Sequence, residues 1–140
     1  MNEEATHKHL IQRAKELQKK REEILSLPSE KALDRILDDP NALELVHSFP
    51  EQDLYYLIHD IGPEDSLPLL SLASNQQWEH IVDLETWQRD RIDFKSVTRW
   101  MNLLLEADPK RFVRWSLEEK LEIIELYLFR HIEVRVREHD

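Results

Sequence analysis

Apolar residues recur along most of the chain at helical spacing, and polar residues typical of helix starts separate the apolar groups. In the stretch from Ser48 to Leu84, SFPEQDLYYLIHDIGPEDSLPLLSLASNQQWEHIVDL, each apolar group follows a Ser or Gly and one or two acidic or amide residues. Four apolar residues of the first group stand at i, i+3, i+4 and i+7: Leu54, Leu57, Ile58 and Ile61. This spacing places them on one face of a helix, so the pattern predicts a series of short amphipathic helices.

Short polar motifs predict where these helices begin. Three Ser-x-x-Glu/Gln motifs match a capping box, in which the two side chains satisfy each other's backbone amides: Ser48 with Glu51, Ser74 with Gln77, and Ser116 with Glu119. Two Asp-Pro pairs, at 39–40 and 108–109, predict starts because Asp accepts from free amides and Pro lacks a donor. Further starts are expected at Ser29, at Asp93, and at Asp83 or Glu85.

Other residues predict where helices stop or bend. Gly62 is expected to end a helix in the left-handed conformation, and Pro68 predicts a late helix start or a kink. From Ser116 the pattern predicts a long helix, with apolar residues at Leu121, Ile124, Leu128 and Ile132. The end of the chain, IEVRVREHD, is interpreted as continuing that helix, with a short strand through its alternating valines as the alternative.

These elements predict an all-α fold of about eight or nine mostly short helices, stacked antiparallel in a superhelical or HEAT-like array with a long helix at each end. Residues 1–26 are predicted to form a charged N-terminal helix that lies along the body or projects as an arm. Residues 27–140 are predicted to form a helical quasi-repeat domain, either by itself or as part of a longer protein.

Composition narrows the possible functions. The chain has 140 residues, a single Gly and no Cys, which excludes disulfides, zinc–thiolate sites and cysteine nucleophiles. Neither a leader nor a membrane-spanning apolar run is readable, and we expect a cytoplasmic protein without membrane insertion. The formal net charge of −10 disfavours a nucleic-acid partner.

No catalytic or cofactor motif is readable, so we predict a protein that is not an enzyme and that has no cofactor. The seven histidines are scattered, and the most ligand-like pairs are His59 with Asp60 and His80 with Asp83. Local hydrogen bonding is the alternative for these pairs. Four acids lie at predicted helix starts: Glu51, Asp53, Glu64 and Asp65. Carboxylates there interact favourably with the positive end of the helix dipole, and a hard-cation site is the alternative.

Aromatic and arginine residues suggest a protein-binding surface. The four tryptophans, at 78, 87, 100 and 115, are spaced as expected for one per helix, wedged between stacked neighbours. One of Tyr55 and Tyr56 is expected to pack inward, with the other at the surface. The candidate surface consists of Tyr55, Tyr56, Trp87, Arg89, Arg91, Arg111 and Arg114. In the alternative, the tryptophans are core residues and the arginines pair with Asp90, Asp93 or Asp108.

The phrases LPSEKALDRILDDPNALELVHSFPEQDLYYLIHDIGPEDSLPLLSLAS and EADPKRFVRW resemble a bacterial family of helical proteins of unknown function, and the resemblance extends from Leu27 to Ile132. The rhythm of helix starts is more distantly similar to the intracellular N-terminal domain of MgtE-type magnesium transporters. That second resemblance implies a right-handed superhelix and a response to magnesium. It assigns no individual ligand, and this chain shows no membrane domain.

Together these observations predict a non-enzymatic interaction or scaffold module that binds another protein or a further domain of a longer relative. The alternative is a regulatory domain that responds to a divalent cation, Mg²⁺ or Ca²⁺, and it depends on the acidic composition and on the transporter resemblance.

Overall fold

Helices make up nearly all of the secondary structure in the residues that the computed structural model describes, which are 3–88, 91–122, 124–125 and 128–129. The helices are α1 (Glu3–Ser26), α2 (Ser29–Leu37), α3 (Ala42–Ser48), α4 (Glu51–Ile61), α5 (Leu67–Leu72), α6 (Asn75–Thr86), α7 (Phe94–Ala107) and α8 (Pro109–Glu119). A 3₁₀ turn covers Glu64–Ser66, and two strands, β1 (Trp87–Gln88) and β2 (Arg91–Ile92), pair with each other. The predicted all-α class is confirmed.

Two compact units divide the chain, a first unit of Met1–Ala73 and a second unit of Ser74–Asp140. Among the described residues, no helix combines the length and the apolar character that crossing a bilayer requires. The superhelical array and the domain boundary after residue 26 stay predictions. Ile132 and the rest of the C-terminal segment 132–140 lie outside the described residues, so its two interpretations also stay open.

The long helix α1 packs against α2 and α3 in the first unit. Leu17 and Ile24 are its buried residues, whereas Leu10 and Ile11, nearer its start, are exposed. Arg13 also ties α1 to α3: its Nε and Nη2 atoms donate to the Glu44 carboxylate at 3.0 and 2.7 Å. This pair raises the pKa of Arg13 and lowers the pKa of Glu44. From Arg13 onward, α1 is therefore held along the first unit.

Asp39 links α1 to the α2–α3 turn, and its side chain is only 2% exposed. Its carboxylate lies 3.0 Å from Lys20 Nζ and 3.1 Å from Arg35 Nη1, and it accepts from the Asn41 amide at 2.9 Å. Burial alone would raise the pKa of Asp39, but the Asn41 amide, Lys20 and Arg35 outweigh burial and lower the pKa to about 2. The predicted helix start at Asp39-Pro40 is wrong, because α3 begins at Ala42 and Asp39 bonds within the turn instead.

Three of the predicted helix starts are confirmed. Ser74 and Gln77 form both bonds of the capping box that opens α6, at 3.1 and 2.8 Å. Asp93 accepts from the first amides of α7, and Asp108 does so for α8 with Pro109 directly after it. These three predictions are correct because each cap residue has a non-helical backbone, which places its side chain within hydrogen-bond distance of the free amides.

The capping boxes predicted at Ser48 and Ser116 are wrong, because Ser48 is the last residue of α3 and Ser116 lies in the last turn of α8. Ser48 Oγ donates to the Leu45 carbonyl at 2.6 Å, and Ser116 Oγ donates to the Val113 carbonyl at 3.0 Å. A serine with helical backbone bonds backward in this way instead of capping forward. The predicted cap at Ser29 is also wrong by one position: Pro28 precedes α2, as Pro50 precedes α4.

We expect Ser74→Ala to lower the free energy of unfolding by about 1 kcal/mol, since it leaves the Gln77 amide without its cap. Ser48→Ala is the matched control and should cost less than about 0.5 kcal/mol, because the Ser48 hydroxyl donates backward within α3 and caps no backbone amide of α4. Urea unfolding followed by circular dichroism measures both variants. Equal losses for the two serines would contradict the assignment of Ser74 as the cap.

Gly62 and Pro68 act as the sequence predicts. Gly62 ends α4 with φ +105°, a backbone conformation that side chains with a Cβ rarely adopt. The 3₁₀ turn follows, and Ser66 Oγ donates to the Gly62 carbonyl at 2.7 Å. α5 then begins late, with Pro68 in its first turn, where no amide partner is required.

In the second unit α6 packs against α7, and α7 packs against α8. Trp78, Trp100 and Trp115 are buried there, one from each of these helices, as predicted. Trp78 and Trp115 make an edge-to-face contact with their ring centres 5.6 Å apart. The guanidinium of Arg111 lies 3.7 Å above the centre of the Trp78 ring, so the aromatic cluster also contains a cation.

The fourth tryptophan, Trp87, is a correction, because it is exposed and lies in a strand. The predicted start at Asp83 or Glu85 is wrong as well, since α6 continues to Thr86 and both acids lie within it. After α6 the backbone becomes extended, and the Thr86 carbonyl accepts from the Asp93 amide at 2.8 Å. This bond closes the short β1–β2 ladder immediately before α7 begins.

Candidate functional site

The second unit contains a cleft of about 540 Å³, lined by residues from the end of α6, from both strands, and from the end of α8 and the residues after it. We call it the Trp87 cleft. Its apolar side chains are Trp87, Ile92 and Leu121. Trp87 is 53% exposed and Leu121 is 48% exposed, so the cleft presents large apolar surfaces to solvent.

The ladder explains why Trp87 and Ile92 both line the cleft. These residues are directly opposite each other in the antiparallel pair, and opposite side chains project from the same face of a ladder. Arg91 is the neighbour of Ile92, and successive strand residues project to opposite faces. The ladder thus separates Arg91 from Trp87, although the sequence places both on the candidate surface.

Lys120 holds the end of α8 close to α6. The residue follows α8 with φ −133° and ψ 36°, which ends the helix at Glu119. Its Nζ atom donates to Asp83 Oδ1 at 2.6 Å and lies 3.5 Å from Glu79 Oε1. These two links to α6 fix the position from which Leu121 enters the cleft.

Carboxylates dominate the polar lining of the cleft. Four of the described acids contribute to it: Asp83, Glu118, Glu119 and Glu122. Asp83 is bound to Lys120, whereas the three glutamates are exposed and form no ion pair within the part of the chain that the structure describes. The cleft therefore combines apolar surface with an excess of negative charge.

The residues of the predicted binding surface lie in different places. Tyr55 and Tyr56 belong to α4 of the first unit, where Tyr55 is half-buried, Tyr56 is exposed, and their ring centres are 5.8 Å apart. Arg114 is exposed on α8, and Arg89 lies outside the described residues. The structure places Trp87 in the cleft, and binding by this set of residues stays a prediction.

Arg111 follows the alternative interpretation, in which the tryptophan is core and the arginine pairs with an acid. Its Nε atom lies 3.9 Å from Asp108, and its guanidinium stacks on the buried ring of Trp78. Burial lowers the pKa of Arg111, and Asp108 offsets part of this effect. Arg111 therefore contributes to the packing of the second unit.

Metal binding receives no geometric support from the described side chains. No group of three or more His, Cys, Asp or Glu residues among them is arranged to hold a metal ion. His59 is exposed and makes an edge contact with Tyr55, while His131 and His139 lie outside the described residues. The acids predicted at helix starts do lie in first turns: Glu51, Asp53, Glu64 and Asp65.

Several cleft residues were missed in the sequence, namely Ile92, Glu118, Glu119, Lys120, Leu121 and Glu122. The reason is that the Ser116-x-x-Glu119 pattern predicts a helix start. In fact Glu118 and Glu119 end α8, where the helix dipole disfavours negative charge. Two acids in the last turn of a helix lower the stability of that helix. Once the end of the helix is known, such unfavourably placed acids indicate a functional site.

The comparisons with known proteins identify a family. The sequence model of one family, described as a family of unknown function (DUF6178), matches residues 10–140. No curated protein and no solved structure matches the chain. The predicted resemblance to a family of unknown function is confirmed, and these comparisons do not support the resemblance to MgtE-type transporters.

Proposed function

The chain belongs to DUF6178, a family of unknown function, and we propose that it is a non-enzymatic helical module that binds another protein through the Trp87 cleft. The observation that carries this proposal is the exposure of Trp87 beside Leu121 in a concave surface. Tryptophan is one of the residue types enriched among the energetic anchors of protein interfaces.

The rest of the second unit supports this interpretation of Trp87. The other three tryptophans of the chain are buried, so large aromatic side chains in these helices are otherwise used for packing. Exposed apolar surface adds nothing to folding, because it stays in contact with water. Binding a partner would remove that surface from water and yield about 25 cal/mol for each Å² buried.

The chemistry of the cleft suits binding better than catalysis. Its carboxylates are open to water, and the ammonium group of Lys120 is engaged by two carboxylates, which leaves it poorly placed to act as a nucleophile. The proposal retains the cytoplasmic location that the sequence predicts. The cation-responsive alternative stays a prediction.

Capture of partners from an extract of the cells that make the protein tests the proposal. The immobilised chain is compared with Trp87→Ala and Leu121→Ala, and captured proteins are identified by mass spectrometry. The matched control is Leu43→Ala in α3, since Leu43 has the same side chain as Leu121 and similar exposure, 53% against 48%. We expect both cleft variants to lose a protein that the control retains, because truncating an interface anchor costs about 2 kcal/mol or more.

The captured protein is then purified and its affinity measured directly. A protein that binds the wild type and both cleft variants equally well would contradict binding at the cleft. Failure of the wild-type chain to retain any protein above the level of a bead control would contradict the module itself.

A further inference from the structure

We infer that the Trp87 cleft binds a positively charged, amphipathic segment of a partner protein. Cationic side chains of that segment lie against Glu118, Glu119 and Glu122, and its apolar side chains lie on Trp87, Ile92 and Leu121. This inference rests on the proposed function and adds to it the chemical class of the partner.

The charge balance of the cleft is the first argument. Among the described residues that line the cleft the one cation is Lys120, which is already neutralised within the second unit, with Nζ 2.6 Å from Asp83 and 3.5 Å from Glu79. Three exposed glutamates are left over without an ion pair among the described residues. Because the whole chain carries a formal charge of −10, its field favours the approach of a cationic partner and opposes an anionic one.

The spacing of the glutamates is the second argument. Glu118 and Glu119 are consecutive in the last turn of α8, so they project about 100° apart around the helix axis. Glu122 follows after the break in the helix at Lys120. Charges distributed in this way match several cationic side chains along a peptide segment better than they match one compact ion.

The apolar surface is the third argument. An indole ring attracts Lys and Arg through its electron-rich face, and this attraction is largest when the cation loses water on binding. Leu121 and Ile92 beside it require apolar side chains on the same partner. A segment with cationic and apolar residues at helical spacing supplies both, in the manner of amphipathic helices that bind grooves.

Two matched synthetic peptides test this inference with the full purified chain. One carries Lys, Arg and Leu at helical spacing, and the other replaces each cation with Glu. Fluorescence anisotropy of the labelled peptides measures their affinities at increasing ionic strength. We expect the cationic peptide to bind, its affinity to fall as salt increases, and the acidic peptide not to bind.

Charge-neutralised variants locate the binding site. The triple variant Glu118→Gln/Glu119→Gln/Glu122→Gln should bind the cationic peptide about tenfold more weakly or worse. Glu3→Gln/Glu4→Gln/Glu30→Gln is the matched control, because it removes the same three charges from exposed positions of the first unit. Its affinity should stay within about a factor of two of the wild type, since these positions lie outside the cleft.

The inference would be overturned by equal binding of both peptides, by equal affinity of the two triple variants, or by self-association of the chain that the cleft substitutions abolish. Such self-association would mean that a second copy of the chain occupies the cleft. If the cationic peptide fails to bind while the captured protein still depends on Trp87 and Leu121, the inference is wrong and the proposed function stands. If capture is also independent of these residues, both are wrong.

Discussion

Trp78→Ala is expected to lower the free energy of unfolding of the second unit by about 3–5 kcal/mol, the usual cost of truncating a large buried aromatic side chain. Trp78 is fully buried, and its ring makes the edge contact with Trp115 and carries the guanidinium of Arg111. The substitution would leave a cavity at the centre of the cluster and place a partly buried cation beside it. Because small domains are stable by only about 5–15 kcal/mol, this loss would be a large fraction of the total stability.

Urea unfolding followed by far-ultraviolet circular dichroism measures this loss. Trp87→Ala is the matched control, since it removes the same side chain from an exposed position and should cost less than about 1 kcal/mol. If the two tryptophans cost the same, the assignment of Trp78 to the core and Trp87 to the surface would be wrong.

Asp39→Asn is expected to destabilise the first unit by about 2 kcal/mol near neutral pH. The carboxylate is buried between Lys20 and Arg35, and an amide in its place would remove the negative charge that both cations require. The cost stays below that of breaking a fully buried ion pair, because Lys20 and Arg35 are themselves partly exposed and screened by water.

The stabilisation from Asp39 should also depend on pH. The pKa of Asp39 is about 2 in the folded chain, below its ordinary value of 3.8, so at low pH the unfolded chain binds a proton before the folded chain does. The stabilisation is therefore complete above pH 3.8 and is lost as the pH falls toward about 2. We expect this loss to amount to about 1–2 kcal/mol after allowance for screening.

Unfolding free energies of the wild type and of Asp39→Asn should thus converge as the pH is lowered through this interval. Asp38→Asn is the control, because Asp38 is the exposed neighbour of Asp39 and should change stability by less than about 0.5 kcal/mol. A difference between wild type and Asp39→Asn that stays constant from neutral pH down to about pH 2 would contradict the ion-pair account.

The sequence predicts the start of a helix well where the cap residue accepts from the first free amides. Asp93, Asp108 and Ser74 each have a non-helical backbone, and each is a cap in the structure. Ser48 and Ser116 have the same local sequence signature, yet they end helices. A Ser-x-x-Glu motif satisfies hydrogen bonds in either role, so only the packing of the neighbouring helices decides between the two.

The cleft was less predictable, because it depends on contacts between distant parts of the chain. The bond from Lys120 to Asp83 joins residues 37 positions apart, and nothing in the local sequence of either residue specifies it. The exposure of Trp87 depends on the short ladder, whereas its apolar character alone predicts a buried residue. Composition and periodicity identify surfaces of single helices, but a concave site requires knowledge of their arrangement.

The division of the tryptophans has an optical consequence. Indole emission shifts to longer wavelength in contact with water, and three of the four indoles are buried while Trp87 is half open to solvent. The long-wavelength part of the fluorescence spectrum therefore comes mainly from Trp87 in the cleft. Trp87 is therefore an intrinsic fluorescent probe of the cleft. A molecule that covers it shifts the tryptophan emission to shorter wavelength, and no attached dye is needed.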